Sequence, residues 1–186
     1  MPVPVLDLQR AVRYIRFHAD ELKINPSKIG ALGFSAGGFA VAALIHILQN
    51  RHPNLNGYVL DNIDHTDAGI SFAGLIYPLL SLEGNINISF ALSSPDIARN
   101  PKQRQLMIEE YDFKKYITSN SIPQFLCHGI DDVLINPSHT KQYEKALKDN
   151  SVHNCHSIYI KGGNHGFGAK EHIEWVEAFA NWTKKL

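Results

Sequence analysis

A chain of 186 residues, 44% hydrophobic and 19% charged, is long enough to bury a core and has the balance of a folded domain, not of a disordered one. Eighteen basic side chains offset eighteen acidic ones, so no net field draws it to nucleic acid or to an anionic membrane, and neither is expected as a partner. Two cysteines exclude a disulfide framework, and Cys127 and Cys155, both in apolar runs, read as buried thiols.

The start, MPVPVLDLQRAVRYIR, lacks the uninterrupted apolar stretch of a signal peptide, and no run is long enough to span a membrane. As written, the chain is expected to be cytoplasmic. Leu8, Ala11, Val12, Ile15, Ala19 and Leu22 recur at helical spacing between Arg10, Arg13, Arg16 and Asp20, which predicts an amphipathic helix ended by Asn25-Pro26-Ser27. Lys28 to Phe34 (KIGALGF) then reads as a short buried strand. From Ala36 to about Gln49 the residues are apolar on most sides, as in a helix sandwiched between layers.

Gly69 to Tyr77 (GISFAGLIY), Gln124 to Gly129 (QFLCHG) and His156 to Lys161 (HSIYIK) are three further strand candidates. Helical patterns run over about 138–148 and 171–185. In the second, Trp175, Phe179 and Trp182 at helical spacing read as core packing, and Lys184 and Lys185 suit a helix C-terminus. Strands apolar on both faces that alternate with helices predict a three-layer α/β/α domain over 1–186 around a mainly parallel sheet. The polar stretch 81–120, with a helix over 101–111, is too long for a plain connection and is expected to be a lid or insertion over a site.

The chemistry concentrates in three places. Gly33-Phe34-Ser35-Ala36-Gly37 fits G-x-S-x-G, a serine on a tight strand-to-helix turn. Crowding there explains the glycines, because side chains two positions either side of the serine would collide. Ser35 alone reads rather as a helix N-cap at a tight glycine turn, and the other two motifs turn the reading toward a nucleophile. A hydroxyl nucleophile needs a base, and the base needs an orienting carboxylate. His165 in KGGNHGFG follows the last strand candidate, and Asp131 and Asp132 in HGIDDVLINP follow the one before it. All fall at carboxyl ends of strands, where open parallel sheets gather their sites. Taken singly, both aspartates are ordinary turn formers, and His128 reads as a satisfied structural histidine. The cluster His153-Asn154-Cys155-His156 has no usual zinc spacing, so neither metal nor cofactor is expected.

Together these motifs resemble the α/β-hydrolase superfamily, and within it the esterase/lipase, acetyl-xylan-esterase-like group related to the prolyl oligopeptidase hydrolases. The matching stretches are DLQRAVRYIR, INPSKIGALGFSAGGF, LIYP at Leu75 to Pro78, IPQFLCHGIDD and GGNHGFG, spread over nearly the whole chain. The resemblance implies a Ser35–His165–Asp132 triad. In that family the carboxylate commonly stands four residues after the histidine of the strand-end His-Gly, which selects Asp132 over Asp131. The chain departs from the family where Asn164 separates Gly163 from His165.

Relatives of this kind also carry an N-terminal half with a His-Gly-Gly loop that supplies one oxyanion donor, the other being the N–H of the residue after the nucleophile, here Ala36. No His-Gly-Gly precedes Ser35. The chain is therefore expected to correspond to the C-terminal part of a hydrolase, with about four strands. Its first strand would be an exposed edge, open to pairing between two copies. The resemblance implies hydrolysis of a small-molecule ester with a small acyl group, such as an acetylated sugar. Two alternatives accompany it: a serine peptidase of prolyl-oligopeptidase type, and an impaired remnant or interaction module.

Overall fold

The computed structural model of the chain describes residues 3–49, 51, 57–84, 95–168 and 171–186. Helix α1 (Val3–Phe17) and the short α2 (Ala19–Leu22) precede strand β1 (Gly30–Phe34). Helix α3 (Ala36–Ala43) passes into a π turn at Leu44–Leu48, and β2 spans Phe72–Ile76. Helices α4 (Pro95–Arg99) and α5 (Pro101–Glu110) lead to β3 (Gln124–Gly129), then α6 (Pro137–Asp149), β4 (His156–Ile160) and α7 (Glu174–Thr183). Asn100 caps α5 and Asn136 caps α6, each side chain accepting N–H groups of the first turn ahead of a proline at the helix start. Residues 85–94 of the expected insertion lie outside the described residues.

The four strands form one parallel sheet in the order β1-β2-β3-β4. Gly30 faces Phe72, Ala73 faces Gln124 and Phe125 faces His156. The sheet has helices on both faces, so the expected three-layer α/β/α class holds. On one face α1, α3 and α6, with Met107 of α5 and the following Phe113, cover Ala73, Leu75 and Leu126. On the other, Trp175 and Trp182 of α7 cover Ile76, Phe125, Cys127 and Ile160. Successive strand residues point to opposite faces, so Leu75 and Ile76, or Leu126 and Cys127, feed different layers.

Burial on both faces applies to the inner strands only. All six residues of β3 are buried, whereas Leu32 and Phe34 of β1 remain 41% and 38% exposed. Among the described residues no strand pairs with the outer edge of β1.

The first helix corrects its own periodicity. Its buried residues are Val5, Gln9, Val12 and Arg13, while Ile15, and Leu22 of the separate α2, are exposed. Polar side chains occupy the inner face because backbone groups meet them there. Gln9 Nε2 donates to the carbonyls of Leu48 and Arg51 at 2.6 and 2.5 Å, and Arg13 to that of Arg51 at 3.1 Å. These bonds tie α1 to the end of the π turn and to Arg51 just beyond it. Arg10 pairs with Asp61 and Asp64, and Arg16 donates to the carbonyls of Pro26, Asp67 and Gly69. Arginines at three-residue intervals thus clamp the irregular segment before β2 onto α1.

Candidate active site

The site is built where β1, β3 and β4 end. Ser35 occupies the turn from β1 into α3 with φ 52° and ψ −117°, a conformation costly for a residue with a side chain. Backbone bonds hold it there: Ser35 donates its N–H to Ile76 O at 3.0 Å, and its carbonyl accepts from Phe39 and Leu79. The turn is also tight. A Cβ on Gly33 would stand 2.3 Å from the carbonyl oxygen of Gly37.

At Gly37 the crowding argument fails, since a Cβ there would meet nothing within 4 Å. The second glycine that geometry demands is Gly38, whose Cβ would lie 2.6 Å from that of Pro78. The helix side of the elbow abuts the chain leaving β2, a tertiary contact that local crowding does not reveal. Ala36 opens α3, where the first backbone N–H groups have no acceptor within the helix and the dipole favours negative charge.

Asp131 and Asp132 part company after β3. Asp131 is exposed and accepts the Gly162 N–H through Oδ2 at 2.8 Å. The Asp132 side chain is fully buried. Its Oδ1 accepts from Leu134 N at 2.9 Å and Ile135 N at 2.8 Å, leaving Oδ2 for side chains. His165 donates Nδ1–H to that oxygen at 2.7 Å, and its Nε2 stands 2.8 Å from Ser35 Oγ. Ser35, His165 and Asp132, spread over most of the sequence, thus form one continuous hydrogen-bonded line.

The electrostatics fit a fixed anion beside a proton carrier. Burial alone pushes the Asp132 carboxyl upward, but the Ile135 N–H, His165 and the Leu134 N–H together hold it below the ordinary aspartate value. Asp132 is therefore ionised at neutral pH. With Nδ1–H committed to Asp132, the neutral imidazole presents the Nε2 lone pair to the serine proton.

Three residues support this line in ways the sequence does not announce. Tyr77, at φ 37°, sets its ring edge-to-face with His165 (centroids 5.0 Å apart) and with Phe167 (4.7 Å). Burial raises its phenol pKa, opposed by a bond from the Gly168 N–H, which pins the histidine loop. Its only sequence signal is an aromatic between strand and proline in LIYP.

Asn164, the departure from the family pattern, accepts the N–H of His165 at 2.7 Å and that of Val133 at 3.3 Å, tying the histidine loop to the aspartate loop. His128, buried on β3, lies 3.1 Å from Asp132 Oδ2 through Nε2, and is satisfied at both ring nitrogens. Among the described residues no three His, Cys, Asp or Glu side chains are arranged to hold a metal ion, and both cysteines are free thiols.

The BD-FAE family model matches residues 1–147. An acetylxylan esterase of Xylanibacter ruminicola is 24% identical, covering 99% of this chain and 36% of that protein. Among solved structures, an acetyl ester-xyloside bifunctional hydrolase from Caldicellulosiruptor lactoaceticus superposes with a TM-score of 0.77 at 27% identity, over 99% of this chain and 63% of the other. An esterase from Thermogutta terrifontis, solved with propionate bound, gives 0.74 at 24% identity, over 100% and 66%; at that identity the likeness concerns the fold. The chain thus spans about a third of the length of this acetylxylan esterase.

Proposed function

Because the chain belongs to the BD-FAE family, we propose that it is a carboxylic ester hydrolase working through Ser35, His165 and Asp132. The observation that carries this reading is the unbroken line from Ser35 Oγ through the His165 ring to Asp132 Oδ2, with links of 2.8 and 2.7 Å. Ser35 Oγ attacks the ester carbonyl carbon as its proton passes to His165 Nε2. The imidazolium so formed is stabilised by the Asp132 carboxylate. Negative charge growing on the carbonyl oxygen meets the Ala36 N–H at the start of α3.

The alkoxide leaves with the proton from His165, and the acyl group stays on Ser35. Water then attacks the acyl carbon, giving its proton to the same nitrogen; the bond to Ser35 Oγ breaks, Oγ takes that proton back from His165, and the acid is released. A small acyl ester, such as an acetylated sugar, is the proposed substrate class, in keeping with the acetylxylan esterase and the acetyl ester-xyloside hydrolase among the relatives. We further propose that the 81–120 segment contributes to the choice of ester.

A fluorophosphonate probe tests the reading without knowledge of the substrate. Labelling mapped to Ser35, absent in Ser35→Ala and strongly slowed in His165→Ala, is the expected result. A folded protein that takes no label would leave the interaction-module reading in its place.

A further inference from the structure

The side-chain geometry around β3 points beyond the three residues of the relay. We propose that His128 is a positioning residue of the same site, donating its Nε2–H to the Asp132 oxygen that also receives His165, so that it aims the carboxylate and shares its charge. The inference rests on the proposed roles of Ser35, His165 and Asp132.

Proton counting fixes the ring. His128 Nε2 stands 3.1 Å from Asp132 Oδ2 and 3.1 Å from the carbonyl oxygen of Ile135. Two acceptors face this nitrogen, so it carries the hydrogen. Nδ1 lies 2.7 Å from Thr140 Oγ1, and in a neutral ring it accepts the hydroxyl proton. Burial lowers the proton affinity of His128 and outweighs the pull of Asp132, which keeps the ring neutral. Asp132 and His165 are the titratable groups acting on it; Thr140 and Ile135 offer neutral dipoles. Asp131, next to Asp132, turns away to Gly162.

His128 therefore joins three elements: β3, which carries it; the aspartate loop, through Asp132 and Ile135; and α6, through Thr140. A group that only braced the loop would need the Ile135 and Thr140 bonds alone. The bond to Oδ2 adds a chemical consequence. With two N–H donors on one oxygen, each feels less of the carboxylate charge. Removing the His128 donor concentrates that charge on His165 Nδ1–H, so the imidazolium is held more strongly. It also frees the carboxylate to rotate about its remaining backbone bonds.

The test compares His128→Leu, which keeps bulk and loses the donor, with His128→Gln, whose amide restores an N–H. Fluorophosphonate labelling rate is followed against pH, with the low-field NMR resonance of the His165 Nδ1–H as a second reading. In His128→Leu the plateau rate is expected to fall about tenfold, as for one lost hydrogen bond to a charged group. The acid limb is expected to move up by roughly half to one pH unit. The glutamine variant is expected to recover most of both.

A folded leucine variant with an unchanged rate, limb and resonance overturns the proposal, as does a glutamine variant no better than leucine. Should the leucine variant fail to fold, the His128 tautomer in the unaltered protein decides. ¹⁵N shifts showing hydrogen on Nε2 support the proposal, and hydrogen on Nδ1 alone overturns it. If the unaltered protein takes no label, the ester-hydrolase reading falls, while the tautomer and the Nδ1–H resonance in the glutamine variant still judge His128.

Discussion

Asn164 Oδ1 lies 3.3 Å from the backbone nitrogen of Val133 and so bridges the two loops that carry His165 and Asp132. The residue that breaks the Gly-Gly-His pattern thus holds the histidine loop in register with the aspartate loop. Asn164→Ala is expected to slow labelling of Ser35 about tenfold, the equivalent of one or two neutral hydrogen bonds. Asn164→Asp retains the acceptor and is expected to lose less. Labelling kinetics on variants with matched melting curves separate positioning from unfolding.

The two aspartates after β3 give a sharp contrast. Asp132→Asn leaves His165 with the wrong partner for its Nδ1–H, and loss of a triad carboxylate costs roughly 10⁴ in turnover. Asp131→Asn alters an exposed turn contact with Gly162 and is expected to label near the normal rate. Equal losses in both would break the assignment of Asp132.

The glycines of the elbow are expected to rank by contact rather than by motif. Gly33→Ala drives a Cβ to 2.3 Å from a backbone oxygen, and Gly38→Ala drives one to 2.6 Å from Pro78. Each is expected to destabilise by at least the roughly 1–3 kcal/mol of ordinary overpacking. Gly37→Ala finds open space, and thermal melts should place it near the unaltered protein.

Burial lowers His46 to about 4, where its ring sits 2.6 Å from the hydroxyl of Tyr143. The unfolded chain takes a proton on this residue below about pH 6.5 that the folded chain refuses until near 4. Stability is therefore expected to fall as pH drops through that window, by a contribution on the order of 3 kcal/mol at pH 4. His46→Gln should flatten the dependence in part. Urea unfolding at pH 7, 5.5 and 4 measures both slopes.

For the outer edge of β1 we propose pairing between two copies, which would cover Leu32 and Phe34, 41% and 38% exposed. Analytical ultracentrifugation is expected to show a mass that rises with concentration. Leu32→Lys, which places a charge at that edge, is expected to return it to the monomer value. A mass independent of concentration would count against edge pairing.

Much of this architecture is legible in the residues, because a parallel sheet needs strands apolar enough to be read directly. QFLCHG is recovered to the residue as β3, and the helix Pro137–Asp149 to within one position at either end. The first helix misled because its periodicity is hydrophobic by composition while its inner face is chosen by hydrogen bonds. Gln9 and Arg13 are buried by carbonyls some forty residues away, which no local pattern encodes.

The site divides along the same line. Sequence by itself determined the α/β class and the strand-to-helix turn holding Ser35, since both depend on local composition and on short-range turn chemistry, whereas the choice of Asp132 as the partner of His165 came from the family resemblance. Tertiary structure alone decided that Gly38 rather than Gly37 is sterically required and that His128, Tyr77 and Asn164 surround the line of three, and it supplied the backbone partners that turn Asp132 inward and Asp131 outward. Those outcomes depend on which backbone groups from distant strands arrive at a given side chain, and a one-dimensional pattern of residue types does not contain that distance information.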